Sequence, residues 1–349
     1  MTKGNAFVIG ATGQIGRAAV RALAEDGWDV TAASRGGGRD GTWPRDVRSV
    51  ALDRDDDAAL AAALGAGCDV VVDMVAMEER HAAQLTGVAD RIGSAVVISS
   101  GAVYEDDKGR GFDTQAEPDG FPRYPVPIHE TQPVVAPGDA TYGTRKVAIE
   151  QRLLAAADRL PTTVLRAGAV HGPYCRTPRE IHFVKRVLDG RPVRVLAHGG
   201  RSQFHPVHVS NVGELIRLAA ARPGARVLNA GDPDVPTVAE ISTAIDAVMG
   251  VRSELVLVDG PPPVGTVGET PWTGNGHPVV YDMSAAEREL GYRAVTGYAE
   301  SLPATVEWLA EVLRRQDWRE AFPKLSQRYA PDGDGPFDYA QEDAWLAGR

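Results

Sequence analysis

The stretch VIGATGQIGRA, residues 8–18, decides the fold. The apolar run AFVIG (6–10) leads into it, and a helical pattern, RAAVRALAEDG, follows with Val20, Leu23 and Ala24 on one face. Between them Gly10, Gly13 and Gly16 recur at every third position. Small residues at a strand-to-helix turn let the main chain approach a pyrophosphate, which sits at the positive end of the helix. The plain alternative is an ordinary tight turn. The two readings separate on whether this turn heads a chain of alternating strands and helices.

Working outward, the alternation is there. WDVTAAS (28–34), VRSVAL (47–52), CDVVVDMVA (68–76) and SAVVISS (94–100) read as strands, the last two near-continuously apolar, as parallel strands buried on both faces are. Helical stretches DDDAALAAALGAG and EERHAAQLTGVADRIG separate them. A Pro-, Gly- and Asp-rich connection spans about 102–140, then a helix over 141–158 and the strand TTVLRAG (162–168) resume the pattern. This predicts an α/β protein built on a doubly wound parallel sheet. Beyond 172 the elements shrink: helices around 178–189, 210–221, 237–249 and 299–315, and strands at 193–196, 227–231 and 254–258. The expected organisation is a dinucleotide-binding domain over 1–172, a smaller α/β substrate-binding part over 173–316 interleaved with it, and a tail over 317–349 docked on the body.

Composition narrows the function classes. The 349 residues are 43% hydrophobic and 24% charged, with net charge −10, which disfavours a nucleic-acid partner held through phosphates. No apolar run has membrane-spanning length, and a strand pattern begins by residue 6, which predicts no signal peptide and a cytoplasmic protein. Cys68 and Cys175 are too few for a disulfide framework or a Cys-rich metal site, and no metal is expected.

Two further motifs follow the fifth strand: ISSGAVY (98–104) and, in ATYGTRK (140–146), Tyr142 four positions before Lys146. Alone, a Tyr and a Lys one helical turn apart are a common coincidence. Together with the glycine turn, in this order and on these elements, they resemble the extended branch of the short-chain dehydrogenase/reductase superfamily, the NAD-dependent epimerases and dehydratases, over about residues 5–315. The resemblance implies a Rossmann sheet, a nicotinamide cofactor and a catalytic set of Ser100, Tyr142 and Lys146. A free Tyr titrates near pH 10 and is a poor base at neutrality; a neighbouring ammonium and the positive nicotinamide ring favour its phenolate. Lys146 would also hold the ribose hydroxyls, and Ser100 would donate to the reacting oxygen. The cofactor-binding residues implied are Gly10, Thr12, Gly13, Gln14, Ile15 and Gly16 at the turn, Asp53 and Arg54 after the third strand, and Met74, Val75 and Ala76 at the end of the fourth. Ser99, Tyr142, Lys146, Ala169 and Val170 complete that set. The family also implies a homodimer formed through the helix bearing Tyr142 and the helix near 79–92.

After the second strand, where NAD enzymes place a carboxylate on the ribose, this chain has Ser34 and Arg35, then Gly36–Gly38 and Arg39. A hydroxyl beside a guanidinium suits a 2′-phosphate, so NADP(H) is preferred and NAD(H) stays possible; the plain alternative is a solvated Arg in a flexible loop. Farther on the family pattern thins. RAGAVHGP (166–173) resembles R-P-x-N-V-Y-G-P with Ala167, Ala169 and His171 in place of Pro, Asn and Tyr, and Phe204 stands where a phosphate-binding Arg is expected. Two anchors for a nucleotide diphosphate are therefore missing.

Ser100, Tyr104, His171, Arg176 and Phe204 are the expected substrate residues. Arg179, His182 and Arg186 share a face at helical spacing, either to bind an acidic group or as a solvated helix face. His205 and His208 read as core or supporting histidines rather than metal ligands. The leading expectation is an NADP(H)-dependent oxidoreductase interconverting a ketone and a secondary alcohol of a small polar or natural-product-like molecule. The alternatives are a nucleotide-sugar or sugar epimerase/dehydratase with a transiently reduced bound NAD(P), drawing a second acid/base from Glu105, Asp106, Asp107, His129 or Glu130, and a non-catalytic dinucleotide-sensing or RNA-associated relative.

Overall fold

The apolar runs of the first half become strands, and the stretches between them become helices. The computed structural model describes residues 2–330 and 335–349. Its chain begins β1 (Asn5–Ile9), α1 (Gln14–Glu25), β2 (Asp29–Ser34), β3 (Arg48–Ala51), α2 (Asp57–Leu64), β4 (Cys68–Asp73) and α3 (Glu79–Gly87). It continues with β5 (Ile92–Ser100), α4 (Tyr142–Ala155), β6 (Thr162–Ala167), β7 (Ala169–His171), α5 (Ile181–Leu188), β8 (Val193–Leu196) and β9 (Pro206–His208). Then come α6 (Val209–Ala221), β10 (Arg226–Ala230), α7 (Val238–Val248), β11 (Glu254–Leu257), α8 (Ser284–Leu290) and α9 (Tyr298–Arg315). Three helices end it: α10 (Trp318–Ala321), α11 (Pro323–Tyr329) and α12 (Tyr339–Ala347).

Seven strands pair in the order β10-β6-β5-β4-β1-β2-β3, every neighbour parallel. β1 lies at the point where the order reverses, so its carboxyl end faces the crevice where such sheets take ligands. The core on one face joins Phe7, Ile9, Val71 and Val97 from the strands to Leu60, Leu85, Ile149 and Leu153 from the helices. These residues are the apolar positions of the sequence pattern, and β4 and β5 read apolar throughout because the sheet is covered on both faces.

Chain contacts divide the molecule into two units: residues 1–168, 209–231 and 281–295, and residues 169–208, 232–280 and 296–349. The first therefore ends at Gly168 rather than at 172, and takes back α6, β10 and α8. The second has its own core, where Phe183 stacks on Trp272 with Ile241, Leu302 and Leu309 around them. The expected tail over 317–349 contributes Trp318, Phe322, Leu325 and Phe337 to this core, so it is part of that unit's body; residues 331–334 of the expected tail lie outside the described residues. β7 and β9 pair with each other and, like α8, had no counterpart in the sequence reading, being too short for periodicity to register. Among the described residues no helix is long and apolar enough to cross a membrane.

Candidate active site

The first unit assembles the glycine turn and the Ser–Tyr–Lys set at the carboxyl ends of its strands. Gly10 and Ala11 both donate to the Ala33 carbonyl at 3.0 Å, which ties the turn to the end of β2. A Cβ on Gly16 would stand 2.2 Å from the Gly10 carbonyl oxygen, so no other residue fits there. No side chain caps α1, whose N-cap is Gly13, and its first turn carries no acidic residue. The helix therefore offers its positive end and main-chain N–H groups to an anion, as a dinucleotide pyrophosphate requires. Ser34 closes β2 with its hydroxyl buried and lacking a hydrogen-bond partner among the described residues, and Arg35 beside it is exposed.

Several expected residues are employed otherwise. Arg39 turns its guanidinium onto the carbonyls of its own loop, Trp43 at 3.1 Å and also Pro44 and Val47. Arg54 is buried and donates to Asp73 at 2.8 and 2.9 Å, which employs its guanidinium inside the protein rather than on a cofactor. The Asp53 carboxylate accepts from the Asp55 amide at 3.0 Å and stays exposed. Ser99 donates to Glu150. Tyr104 is fully buried with its hydroxyl on Asn229 Oδ1, so it supports the sheet end and presents nothing to a substrate. Met74 donates to the Ile9 carbonyl at 3.3 Å, and Val75 packs where a Cβ on Gly10 would fall.

The α4 helix starts on Thr141, whose hydroxyl accepts from the Thr144 amide. Tyr142 is its first residue. Gly143 follows because a Cβ there would meet the Ala102 carbonyl oxygen at 2.7 Å; without one, α4 settles against the loop after β5. That approach brings the Tyr142 hydroxyl close to Ser100, whose Oγ accepts from the Ala102 amide at 3.2 Å. Although 40% of Tyr142 is exposed, desolvation of its hydroxyl raises it above its ordinary value, opposed by the nearby Ser100 hydroxyl and the Arg145 charge. Lys146 is buried one turn on, its Nζ 5.6 Å from the Tyr142 ring centroid. It donates to the Ala76 carbonyl at 2.6 Å and the Ile98 carbonyl at 3.0 Å. An ammonium has three donors, so one is left for a ribose hydroxyl. Burial lowers the Lys146 pKa to about 8, against the pull of the Asp73 and Glu150 carboxylates.

The remaining expected residues belong to the second unit. Ala169 and Val170 lie in β7, and Ala169 donates to the His205 carbonyl at 2.8 Å. His171 is buried with Nε2 2.7 Å from Asp232 Oδ2, and the other oxygen of Asp232 accepts from the His208 amide at 2.7 Å. Asp232 was missed by sequence reasoning; an acid directly after the apolar strand VLNAG was the available signal. His205 Nε2 lies 2.9 Å from the Asp232 carbonyl oxygen. Phe204 lies under the Arg179 guanidinium at 5.1 Å, and Arg176 is exposed. His182 and Arg186 are neither a substrate face nor a solvated one: both are buried, and Arg186 bonds the Pro336 carbonyl and the Glu342 carboxylate of the terminal segment. Among the described residues no group of three or more His, Cys, Asp or Glu side chains is placed to hold a metal.

A family model described as the NAD dependent epimerase/dehydratase family matches residues 6–231. The chain belongs to this family. No curated protein sequence matches it at a significant level. Solved epimerase structures share its fold: UDP-glucose 4-epimerase from Thermotoga maritima with UDP-glucose (TM-score 0.67, 20% identity, 88% of this chain and 99% of that one) and UDP-N-acetylglucosamine 4-epimerase from Bacillus cereus (0.66, 18%, 89% and 100%). MoeE5 in complex with UDP-glucose and NAD is similar at TM-score 0.62 and 21% identity, over 89% and 100% of the two chains. In this epimerase/dehydratase family member, a nicotinamide cofactor is the group that the glycine turn and the uncapped α1 suit.

Proposed function

We propose that this chain is an NAD(P)-dependent epimerase or dehydratase that oxidises a secondary alcohol of a sugar-like substrate and returns the hydride in the same turnover. The observation that carries the reading is that α4, settled on the loop after β5, sets Tyr142 near Ser100 with the buried Lys146 one turn away, at the carboxyl ends of the strands that also carry the glycine turn. Bound NAD(P) supplies the hydride acceptor and donor. Tyr142 takes the hydroxyl proton and later returns it. Ser100 donates to the substrate oxygen as charge develops on it. Lys146 holds the nicotinamide ribose with its remaining donor and favours the phenolate of Tyr142.

The solved neighbours include complexes with UDP-glucose. Here Ala169 and Phe204 replace both diphosphate anchors, so the proposed substrate is a sugar or polyol without a nucleotide diphosphate. Net reduction of a ketone by NADP(H) is the second reading, favoured by the orphan Ser34 hydroxyl and Arg35. We also propose a homodimer through α3 and α4, which border a groove lined by Thr86, Ala148, Gln151 and Ala155; light scattering at the monomer mass would reject it.

Cofactor retention separates the redox readings. Nicotinamide that survives gel filtration and is released only by denaturation supports transient oxidation. Exchange that depends on the 2′-phosphate supports the second reading. A Tyr142→Phe variant with full turnover would sink both.

A further inference from the structure

Two buried ion pairs stand along the strand ends of the first unit, with Lys146 between them in strand order. Asp73 closes β4 and carries Arg54. The Lys146 ammonium binds the Ala76 carbonyl just past β4 and the Ile98 carbonyl of β5. Glu150, one turn beyond Lys146 on α4, takes the Ser99 hydroxyl of β5 and the Arg166 guanidinium of β6. The second pair is closely made: Arg166 Nη2 lies 2.7 Å from Glu150 Oε2, and Nε lies 3.2 Å from each carboxylate oxygen. Arg166 also donates to the Glu130 carbonyl at 3.2 Å and packs over the Tyr104 ring. Arg54, Lys146 and Arg166 are thus balanced by two carboxylates, Asp73 and Glu150, all five nearly solvent-free.

We propose that Glu150 is a positioning residue for the proton-handling pair: its carboxylate keeps the buried Lys146 ammonium charged, and its bond to Ser99 fixes the strand end that presents Ser100. The inference rests on the Tyr142–Lys146 reading. Asp73 and Glu150 are the carboxylates that oppose the burial of Lys146, and Asp73 is already held by two hydrogen bonds from Arg54. The other groups at hand are Tyr142 and Arg145 on α4, and the hydroxyls of Ser99 and Ser100 on β5. None of them adds a negative charge at neutral pH. Removing Glu150 leaves three buried cations against one carboxylate, and the ammonium is the cation that can shed a proton.

The test is the pH dependence of NADPH or NADH binding, whichever is tighter, followed by nicotinamide fluorescence from pH 6 to 9.5. Wild type is expected to lose affinity as Lys146 deprotonates near pH 8. In Glu150→Gln that break moves down by about one pH unit. Because an unmatched Arg166 can impair folding, the Glu150→Gln/Arg166→Gln double variant is measured too. It removes the guanidinium that binds Glu150 and leaves two buried cations against one carboxylate, so a smaller downward shift is expected. Glu150→Asp, which keeps the charge, restores the wild-type break. A break that stays in place in the variants shows Glu150 to be only the counter-ion of Arg166 and overturns the inference while leaving the functional reading intact. A wild type that binds neither cofactor overturns both.

Discussion

Arg54 donates twice to one oxygen of Asp73, from Nε at 2.9 Å and from Nη2 at 2.8 Å, and Nη2 also reaches the His81 carbonyl at 2.8 Å. The other Asp73 oxygen accepts from the Val75 amide at 2.9 Å. A single guanidinium therefore bolts the loop after β3 to the end of β4 and the start of α3. Arg54→Met strips the Asp73 carboxylate of its guanidinium partner in the core. Its expected loss is about 3–5 kcal/mol by urea unfolding, and Arg54→Met/Asp73→Leu recovers much of it. A loss under about 1 kcal/mol, the range of exposed pairs, contradicts this account.

Gly143→Ala tests the approach of α4 to the loop after β5. The added Cβ would meet the Ala102 carbonyl oxygen at 2.7 Å and the Asp113 carboxylate at 3.0 Å, and a main-chain carbonyl does not move cheaply. We expect about 1–3 kcal/mol of destabilisation. Cofactor-dependent turnover falls more than tenfold, because Tyr142 is carried away from Ser100. Gly138→Ala is the control, since its nearest neighbour lies 3.8 Å away. Equal effects at the two sites would defeat the argument.

The parallel sheet, the glycine turn and the Ser–Tyr–Lys set were legible because each is written locally. Apolar runs give strands, glycine spacing gives the turn, and helical spacing puts Tyr142 and Lys146 on one face. What was illegible depends on where charged side chains turn in space. Arg39 and Arg54 stood at cofactor positions in the sequence, yet their guanidinium groups found nearer acceptors, a loop's own carbonyls and Asp73. Arg186 read as solvated or substrate-binding because Glu342, its partner, lies far along the chain. Asp232 escaped notice for the same reason: its partners His171 and His208 precede it by whole elements.

Arg35→Ala tests the cofactor preference. Ser34 supplies a buried hydroxyl and Arg35 an exposed guanidinium at the end of β2. Losing one charge-assisted contact to a 2′-phosphate is expected to weaken NADP(H) about tenfold or more and to leave NAD(H) within about twofold. Ser34→Asp should reverse the preference by repelling the phosphate. Fluorescence titration with both reduced cofactors decides it, and parallel losses for the two would contradict the assignment.

The histidines of the second unit make stability fall with acid. Burial, reinforced by the neighbouring His171, lowers His208 to about 4, and burial also lowers His205 and His182. In the unfolded chain each binds a proton near pH 6.5. Above that value neither state is protonated and the full stability is present. Between about 6.5 and 4 the unfolded chain takes up a proton that folded His208 refuses, so stability is lost as the pH drops through this window. From pH 6.5 to 5, His208 alone should account for about 2 kcal/mol, read by urea unfolding at the two values. His208→Phe keeps a ring beside His171 and the amide that bonds Asp232, but cannot titrate, so its stability should fall less steeply. A variant whose loss between pH 6.5 and 5 equals that of the wild type would show that the acid sensitivity arises elsewhere.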